Sequence, residues 1–271
     1  MRTDTNAVAE FIETVWAYYR AQGRHELPWR RPEPDNSFDP YRILVSEFML
    51  QQTQVSRVIP KFEAFVRQFP TIPTLAKSEL GDVLRAWQGL GYNRRAKYLW
   101  QTAQAIESAG AFPEIEEQLI RLPGVGVNTA GAIRAYAFNL PALFVETNIR
   151  TVYIHHFTRD DEIISDDFIR DYLGRTIDQK RPREFYWALM DYGTFLKTQI
   201  QNTQRSKHYA KQSRFTGSRR QVRGLVLREL SAGPASVEQL AERISDGRLG
   251  GVLGDLEAEG LIKKIGKRYR L

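Results

Sequence analysis

Apolar side chains recur with the period of an α-helix through most of this 271-residue chain. Phe11, Val15 and Tyr19, for example, share one face of a predicted helix over residues 7–20. Convincing alternation with a period of two, which indicates β-strands, is confined to the last few residues. We therefore expect an all-α fold for the bulk of the protein.

Residues 41–69 also have one apolar face, but Pro60 lacks the N–H that a helix interior requires. We expect two helices in this segment, with the break or kink at Pro60. Further helical patterns cover residues 79–87, 93–109, 128–138, 147–157, 166–175 and 183–196.

The C-terminal residues read as a separate unit. Three short amphipathic helices are predicted in it, at residues 221–230, 236–244 and 249–259. Ser236 is a plausible N-cap of the second, with Gln239 three residues later, and Gly260 ends the third. Residues 261–271 predict two short strands around a glycine turn. This pattern is typical of a winged helix, which binds DNA or a protein partner, and its basic hairpin favours DNA.

Composition narrows the chemistry. The chain has no cysteine, which excludes disulfides, zinc–thiolate sites and cysteine-bound iron–sulfur clusters. No apolar run approaches the roughly 20 residues of a membrane helix, and the chain start lacks the apolar stretch of a signal peptide. We expect an intracellular, soluble protein.

The charge favours a polyanionic partner, because Lys and Arg exceed Asp and Glu by 7. The segment from Lys197 to Arg223 contains eight basic residues and no Asp or Glu. This basic segment is either a solvated linker or a stretch that follows DNA phosphates, and the two interpretations are compatible.

The sequence LPGVGVNTAGAI at residues 122–133 places two glycines between two helical patterns. Such a turn lets backbone N–H groups and a helix N-terminus face a phosphate oxygen. The arrangement is a helix-hairpin-helix, which holds a DNA strand without reading its bases. We expect its phosphate contacts from residues of the hairpin and the following turn: Gly124, Val125, Gly126, Asn128 and Thr129.

Four ordered motifs carry a family resemblance. They are LPWR at residues 27–30, SEFMLQQTQV at 46–55, GLGY at 89–92 and the LPGVG hairpin. Together they resemble the MutY-type adenine DNA glycosylases, over residues 8–196, within the endonuclease III-like superfamily. The resemblance implies a two-lobed all-α fold with a DNA-binding cleft, in which a mispaired adenine is flipped out and its N-glycosidic bond is hydrolysed.

The resemblance also assigns the catalytic residues. Glu47 corresponds to the general acid that protonates the departing base. Glu146 stands where the family has Asp, the carboxylate that stabilises the positively charged sugar, and its extra methylene changes the reach by about 1.5 Å. Asn148 would orient Glu146 or the water. Asn128 stands where endonuclease III has a Schiff-base lysine, so we predict a monofunctional enzyme that leaves an intact abasic site.

The remaining matched positions are recognition residues. The pocket for the flipped base is predicted from Leu27, Trp29, Arg30 and Val55. The residues that wedge into the duplex and contact the opposite base are predicted to be Gln52, Thr53, Leu90 and Tyr92. For Trp29 and Leu90 a role in the core is nearly as plausible from the sequence.

Two features depart from the family. The family carries a 4Fe-4S cluster just after a Met-Asp-x-Gly segment; here residues 190–193 match that segment, and no cysteine follows. We expect no cofactor and no metal, with residues 197–214 packing or binding DNA instead. The family enzymes that verify 8-oxoguanine also have a β-rich C-terminal domain, which this chain replaces with the winged helix.

We therefore divide the chain into a helix-hairpin-helix glycosylase domain at residues 1–196, a basic linker at 197–218 and a winged-helix domain at 219–271. We expect a cytoplasmic, nucleoid-associated monomer that acts on double-stranded DNA with a mismatched or damaged base. Adenine opposite 8-oxoguanine or guanine is the expected target. The alternatives are a non-catalytic DNA-binding protein on the same scaffold and a mismatch glycosylase for thymine or uracil.

Overall fold

The computed structural model describes residues 4–159, 162–209 and 214–271, so that Lys211 of the basic segment lies outside it. The predicted all-α architecture is confirmed. The helices are α1 Asp4–Gln22, α2 Pro40–Leu50, α3 Val55–Gln68, α4 Ile72–Ala76, α5 Leu80–Ala86, α6 Arg94–Ala109, α7 Glu116–Leu119, α8 Val127–Phe138, α9 Thr147–Phe157, α10 Asp166–Thr176, α11 Pro182–Gln199, α12 Arg219–Ala232, α13 Val237–Arg243 and α14 Leu249–Ala258. The strands are β1 Ala235–Ser236, β2 Lys263–Ile265 and β3 Arg268–Arg270. Among the described residues, no helix combines the length and apolar composition needed to cross a membrane.

The predicted position of the break in segment 41–69 is wrong. Two helices form, but they separate at residues 51–54, and Pro60 lies inside α3. One missing N–H does not end α3, because the helix buries Val58, Phe62 and Phe65 on one face. The chain turns instead at Gln52, whose φ of 55° is left-handed.

The described residues form two compact units. The first comprises those within Met1–Ile43, Glu114–Arg121 and Val125–Lys211. Its core is built from the helices α1 and α8 to α11, and aromatic rings fill it. Phe11 of α1, fully buried as the helical period predicts, packs against Tyr153 and Phe157 of α9.

Asp191 of α11 organises one side of this first unit. Its carboxylate accepts two hydrogen bonds from the Arg30 guanidinium, at 2.7 and 2.9 Å, and further ones from the backbone N and the Nε of Arg24. Burial alone would raise the pKa of Asp191, but the hydrogen bonds and charges of both arginines outweigh it and hold the pKa below its usual value. The predicted motifs around Arg30 and Asp191 are thereby joined.

The chain after α11 folds back on the first unit. The side chain of Asn202 donates to the carbonyl oxygen of Thr151 in α9 at 2.9 Å. Ile164 exchanges backbone hydrogen bonds with residues 205 and 207. The described residues 200–209 of the region expected to replace the cluster therefore pack against the protein.

The second unit comprises the described residues within Leu44–Pro113, Leu122–Gly124 and Gln212–Leu271. It includes the C-terminal residues, in which three helices and an antiparallel sheet of order β1-β3-β2 form the expected winged helix. Ser236 and Gln239 make the predicted capping box. This winged helix packs on α5 and α6 through hydrogen bonds such as Lys97 Nζ to the Glu259 carbonyl, at 2.5 Å.

Replacement of Asp191 by Asn should destabilise the protein by about 3–5 kcal/mol, because the guanidinium of Arg30 would remain buried without a counter-charge. Arg20→Gln, which breaks an exposed ion pair with Glu13, should cost under about 1 kcal/mol. Urea unfolding at pH 7 measures both.

The contribution of Asp191 to the free energy of unfolding should also depend on pH. Since the pKa of Asp191 is depressed in the folded state, its stabilisation is present at neutral pH and is lost as the pH falls below about 4. The difference in the free energy of unfolding between wild type and D191N should therefore become smaller in acid. A difference that stays constant from pH 7 to pH 3 would contradict this account.

Candidate active site

The predicted site residues fall into two groups, one in each compact unit. The first unit carries Leu27, Trp29, Arg30, Val125, Gly126, Asn128, Thr129, Glu146 and Asn148. The second unit carries Glu47, Gln52, Thr53, Val55, Leu90, Tyr92 and Gly124.

Glu146 occupies the N-cap position of α9, yet its side chain makes no capping hydrogen bond. The carboxylate is therefore not used to satisfy the helix end, which is the usual structural reason for a polar residue at this position. Burial raises the pKa of the Glu146 carboxyl, and the positive charges of Arg150 and Lys197 act in the opposite direction. The two cations favour the ionised form of Glu146, and an ionised carboxylate can stabilise a developing positive charge.

Asn128 fixes the backbone next to Glu146. Its Nδ2 donates to the Val145 carbonyl oxygen at 3.1 Å, and its Oδ1 accepts from the Val145 N at 3.3 Å. The first turn of α8 is thus tied to the residue that precedes Glu146. An Asn suits this position because its amide supplies both the donor and the acceptor that these two hydrogen bonds need.

The hairpin before α8 depends on its first glycine. Gly124 has a φ of 75°, and a Cβ there would lie 2.7 Å from Tyr98 Cβ. Gly126 differs, because its φ is −93° and no described atom lies within 4 Å of the position that a Cβ would occupy. The described fold therefore gives no reason for Gly126 to lack a side chain, whereas close approach of a ligand to the backbone would. Thr129 follows in the first turn of α8, and the Val125 side chain is buried.

Leu27, Trp29 and Arg30 are buried in the loop between α1 and α2, where Pro28–Arg30 form a 3-10 turn with Leu27 at its N-cap position. Arg30 donates to Asp191 and stacks 5.1 Å from the Trp187 ring. The predicted donor of the base pocket is therefore committed to an ion pair, and its proposed contact with a flipped base stays a prediction.

Glu47 lies in the last turn of α2, with Phe48 and Met49 fully buried beside it and Ser46 buried before it. The Glu47 side chain is only partly exposed. Glu47 is thus a half-buried carboxyl at the end of a mostly buried helix, and its role as the general acid stays a prediction.

A single arginine that the sequence analysis missed holds the predicted wedge together. The guanidinium of Arg95 donates to the carbonyl oxygens of Phe48 and Met49 and to that of Gln51. It also donates to the Thr53 hydroxyl at 3.0 Å and to the carbonyls of residues 90 and 91. The loop after α2 and the turn before α6 are therefore fixed by one side chain, which is 7% exposed.

Gln52 and Tyr92, both predicted wedge residues, have φ values of 55° and 47°. Residues with side chains seldom adopt this conformation, which costs about 1–3 kcal/mol where the surroundings impose it. Strain of this kind concentrates at functional sites.

Leu90, another predicted wedge residue, is 3% exposed, so the structure gives it a place in the core. Val55 is partly exposed at the first position of α3.

The winged helix also contributes to this region of the second unit. Arg220 of α12 donates to the Tyr92 hydroxyl, and its guanidinium lies 5.5 Å from the centre of the Tyr92 ring. Arg220 belongs to the basic segment that the sequence identified, but only the structure pairs it with Tyr92.

These elements have counterparts in known proteins. Residues 45–172 match the HhH-GPD family, described as HhH-GPD superfamily base excision DNA repair protein. This chain therefore contains a domain of the helix-hairpin-helix base-excision repair superfamily.

Its relatives include proteins named adenine DNA glycosylase. One from Buchnera aphidicola subsp. Baizongia pistaciae is 37% identical over 192 residues, which are 69% of this chain and 52% of the relative. Another, from Mycolicibacterium smegmatis, is 44% identical over 131 residues, or 48% of this chain and 43% of the relative. The chain thus spans about half the length of these relatives.

A solved structure of a thermostable thymine-DNA glycosylase has the same fold, with a TM-score of 0.59 at 22% sequence identity. The match covers 70% of this chain and 87% of that chain. The predicted helix-hairpin-helix glycosylase fold is confirmed.

Arg95→Met should destabilise the protein by about 3 kcal/mol, because several buried carbonyl oxygens would lose a charged donor. Hydrogen exchange should rise at residues 49–54 and 89–92 before it rises elsewhere in the second unit. Arg85→Met, which breaks an exposed pair with Asp82, serves as the control. Unchanged protection at both loops would contradict the role of Arg95.

Proposed function

We propose that this protein is an adenine DNA glycosylase. It hydrolyses the N-glycosidic bond of an adenine mispaired with 8-oxoguanine or guanine in double-stranded DNA. It leaves the abasic site uncleaved and acts in the cytoplasm on chromosomal DNA. The observation that carries the proposal is Glu146, a carboxylate at the start of α9 that does not cap its helix and is influenced by two cations. The adenine DNA glycosylases similar to this chain support the choice of base.

The reaction needs an acid and a carboxylate. Protonated Glu47 gives its proton to a ring nitrogen of the flipped adenine, and the bond from that base to the sugar C1′ breaks with its electron pair on the base. Ionised Glu146 stabilises the positive charge left on the sugar. Water then adds to C1′ and loses a proton to solvent, from which Glu47 is protonated again. The products are the abasic sugar and free adenine. The side-chain amide of Asn128 is hydrogen-bonded to the Val145 backbone and supplies no amine for a covalent step.

The DNA backbone is bound by two surfaces in this proposal. The hairpin at residues 124–126 and the first turn of α8 offer backbone N–H groups to a phosphate. The wing formed by β2 and β3 adds five exposed cations: Lys263, Lys264, Lys267, Arg268 and Arg270.

Single-turnover incubation with labelled duplexes tests the activity. Adenine is placed opposite 8-oxoguanine, guanine or cytosine, with thymine and uracil opposite guanine as further substrates. We expect strand breaks at adenine only after alkali, and Glu47→Gln should lower the rate at least about 100-fold while it still binds the duplex.

Each other outcome of this assay has a defined meaning. Release of thymine or uracil in place of adenine would replace the proposed substrate. Binding of every duplex without release of any base would favour a non-catalytic DNA-binding protein. Breaks without alkali would contradict the monofunctional mechanism.

The wing is tested through salt dependence. Changing Lys263, Lys264 and Lys267 together to Gln should weaken duplex binding and flatten the plot of log K against log salt, by about 0.9 for each phosphate that the wing no longer neutralises. A control triple variant at Arg20, Lys77 and Arg175 makes the same change of charge elsewhere. Equal slopes for the two triple variants would contradict a role of the wing in DNA binding.

A further inference from the structure

One face of α11 is packed against the start of α9. Met190, Gly193 and Lys197 follow one another at spacings of three and four residues, so they share this face. A Cβ at Gly193 would overlap the backbone carbonyl of Asn148. Gly193 therefore permits the two helices to approach closely enough for Lys197, one turn further on, to reach the Asn148 side chain.

Asn148 is held by two side chains of α11. Lys197 Nζ donates to Asn148 Oδ1 at 2.6 Å, and Asn148 Nδ2 lies 3.9 Å from the Met190 sulfur. Because an ammonium can only donate, it fixes the Asn148 oxygen towards α11 and directs the amide nitrogen away from Lys197. The orientation of Asn148 thus depends on Lys197.

Lys197 is also one of two cations that act on Glu146. The other is Arg150, on the helix that Glu146 begins, whose guanidinium makes two hydrogen bonds of 2.7 Å to Asp166 of α10. His208 lies 3.6 Å from the same carboxylate. The charge of Arg150 is therefore balanced by Asp166, whereas the hydrogen bond of Lys197 goes to a neutral amide.

We propose that Lys197 is a positioning residue of the catalytic site: its ammonium fixes Asn148, two residues after Glu146, and its positive charge favours the ionised form of the Glu146 carboxylate. Burial lowers the pKa of Lys197, and Glu146 acts to raise it, so the two groups influence each other. This proposal rests on the proposed glycosylase function. It also assigns a role to a residue in the sequence that follows the Met-Asp-x-Gly segment.

The first test is the pH profile of single-turnover adenine release by Lys197→Met and Lys197→Arg. The Met variant should be about 10- to 100-fold slower at pH 7, because Asn148 is no longer held in position and a larger fraction of Glu146 is protonated. Loss of the cation raises the pKa of Glu146, so the acidic limb of its profile should move to higher pH, and the deficit in rate relative to wild type should become smaller as the pH rises. The Arg variant, which keeps the charge, should retain a profile near that of wild type.

Arg175→Met, which removes a cation from the same unit in an exposed pair with Asp171, should leave the profile unchanged. A Lys197→Met profile that is lowered equally at every pH, or not lowered at all, would overturn the proposal. A covalent adduct with abasic DNA, trapped by borohydride in wild type and absent from Lys197→Met, would also overturn it, since Lys197 would then be a nucleophile.

A second measurement does not depend on catalysis. The titration of the Glu146 carboxyl carbon is followed by NMR in the free, glutamate-labelled protein, with the resonance assigned by Glu146→Gln. We expect a higher pKa of Glu146 in Lys197→Met than in wild type and in Arg175→Met. An unchanged pKa of Glu146 in Lys197→Met would overturn the proposal. Failure of the wild type to release any base would instead refute the glycosylase function, and the titration does not depend on that result.

Discussion

The arrangement of the first compact unit depends on the buried ion pair between Arg30 and Asp191. Both side chains are almost fully buried, and their planar groups form two parallel hydrogen bonds, the geometry that best offsets the cost of removing charges from water. The pair fixes the loop after α1 to the middle of α11. The neighbouring turns of α11 carry Gly193 and Lys197, which contact Asn148. A buried structural contact and the proposed catalytic residues therefore share one helix.

The second unit uses the same physical device in another form. The Arg95 guanidinium is surrounded by backbone carbonyl oxygens and lies 5.4 Å from the Trp87 ring. Burial lowers the pKa of Arg95 to about 10, which still leaves the guanidinium charged at neutral pH. A charged donor with a fixed fork geometry can hold two loops in conformations that are unfavourable by themselves, such as the left-handed backbone at Gln52 and Tyr92. The proposed wedge is therefore held in place by contacts within the second unit.

Glu146 illustrates how a departure from a family pattern can be accommodated. A longer side chain than Asp needs either a displaced backbone or different supports. Here the backbone before it is fixed by Asn128, and the surrounding charges come from α9 and α11. In the same region, residues 200–209 close the fold by hydrogen bonds to Thr151 and Ile164. These contacts involve residues that follow the Met-Asp-x-Gly segment at 190–193.

The sequence by itself determined the helical class, most helix boundaries, the winged helix and the order of the motifs, because these follow from local periodicity, caps and turns. It also singled out Glu47, Glu146 and Asn148, whose roles stay predictions. It misplaced the break before α3, since burial of an apolar face outweighed the missing N–H of Pro60. Only the tertiary structure decided that Arg30 binds Asp191, that Arg95 binds two loops and that Lys197 binds Asn148. These contacts join residues as many as 161 positions apart, and long-range pairs of charged groups leave no periodic signal in a single sequence.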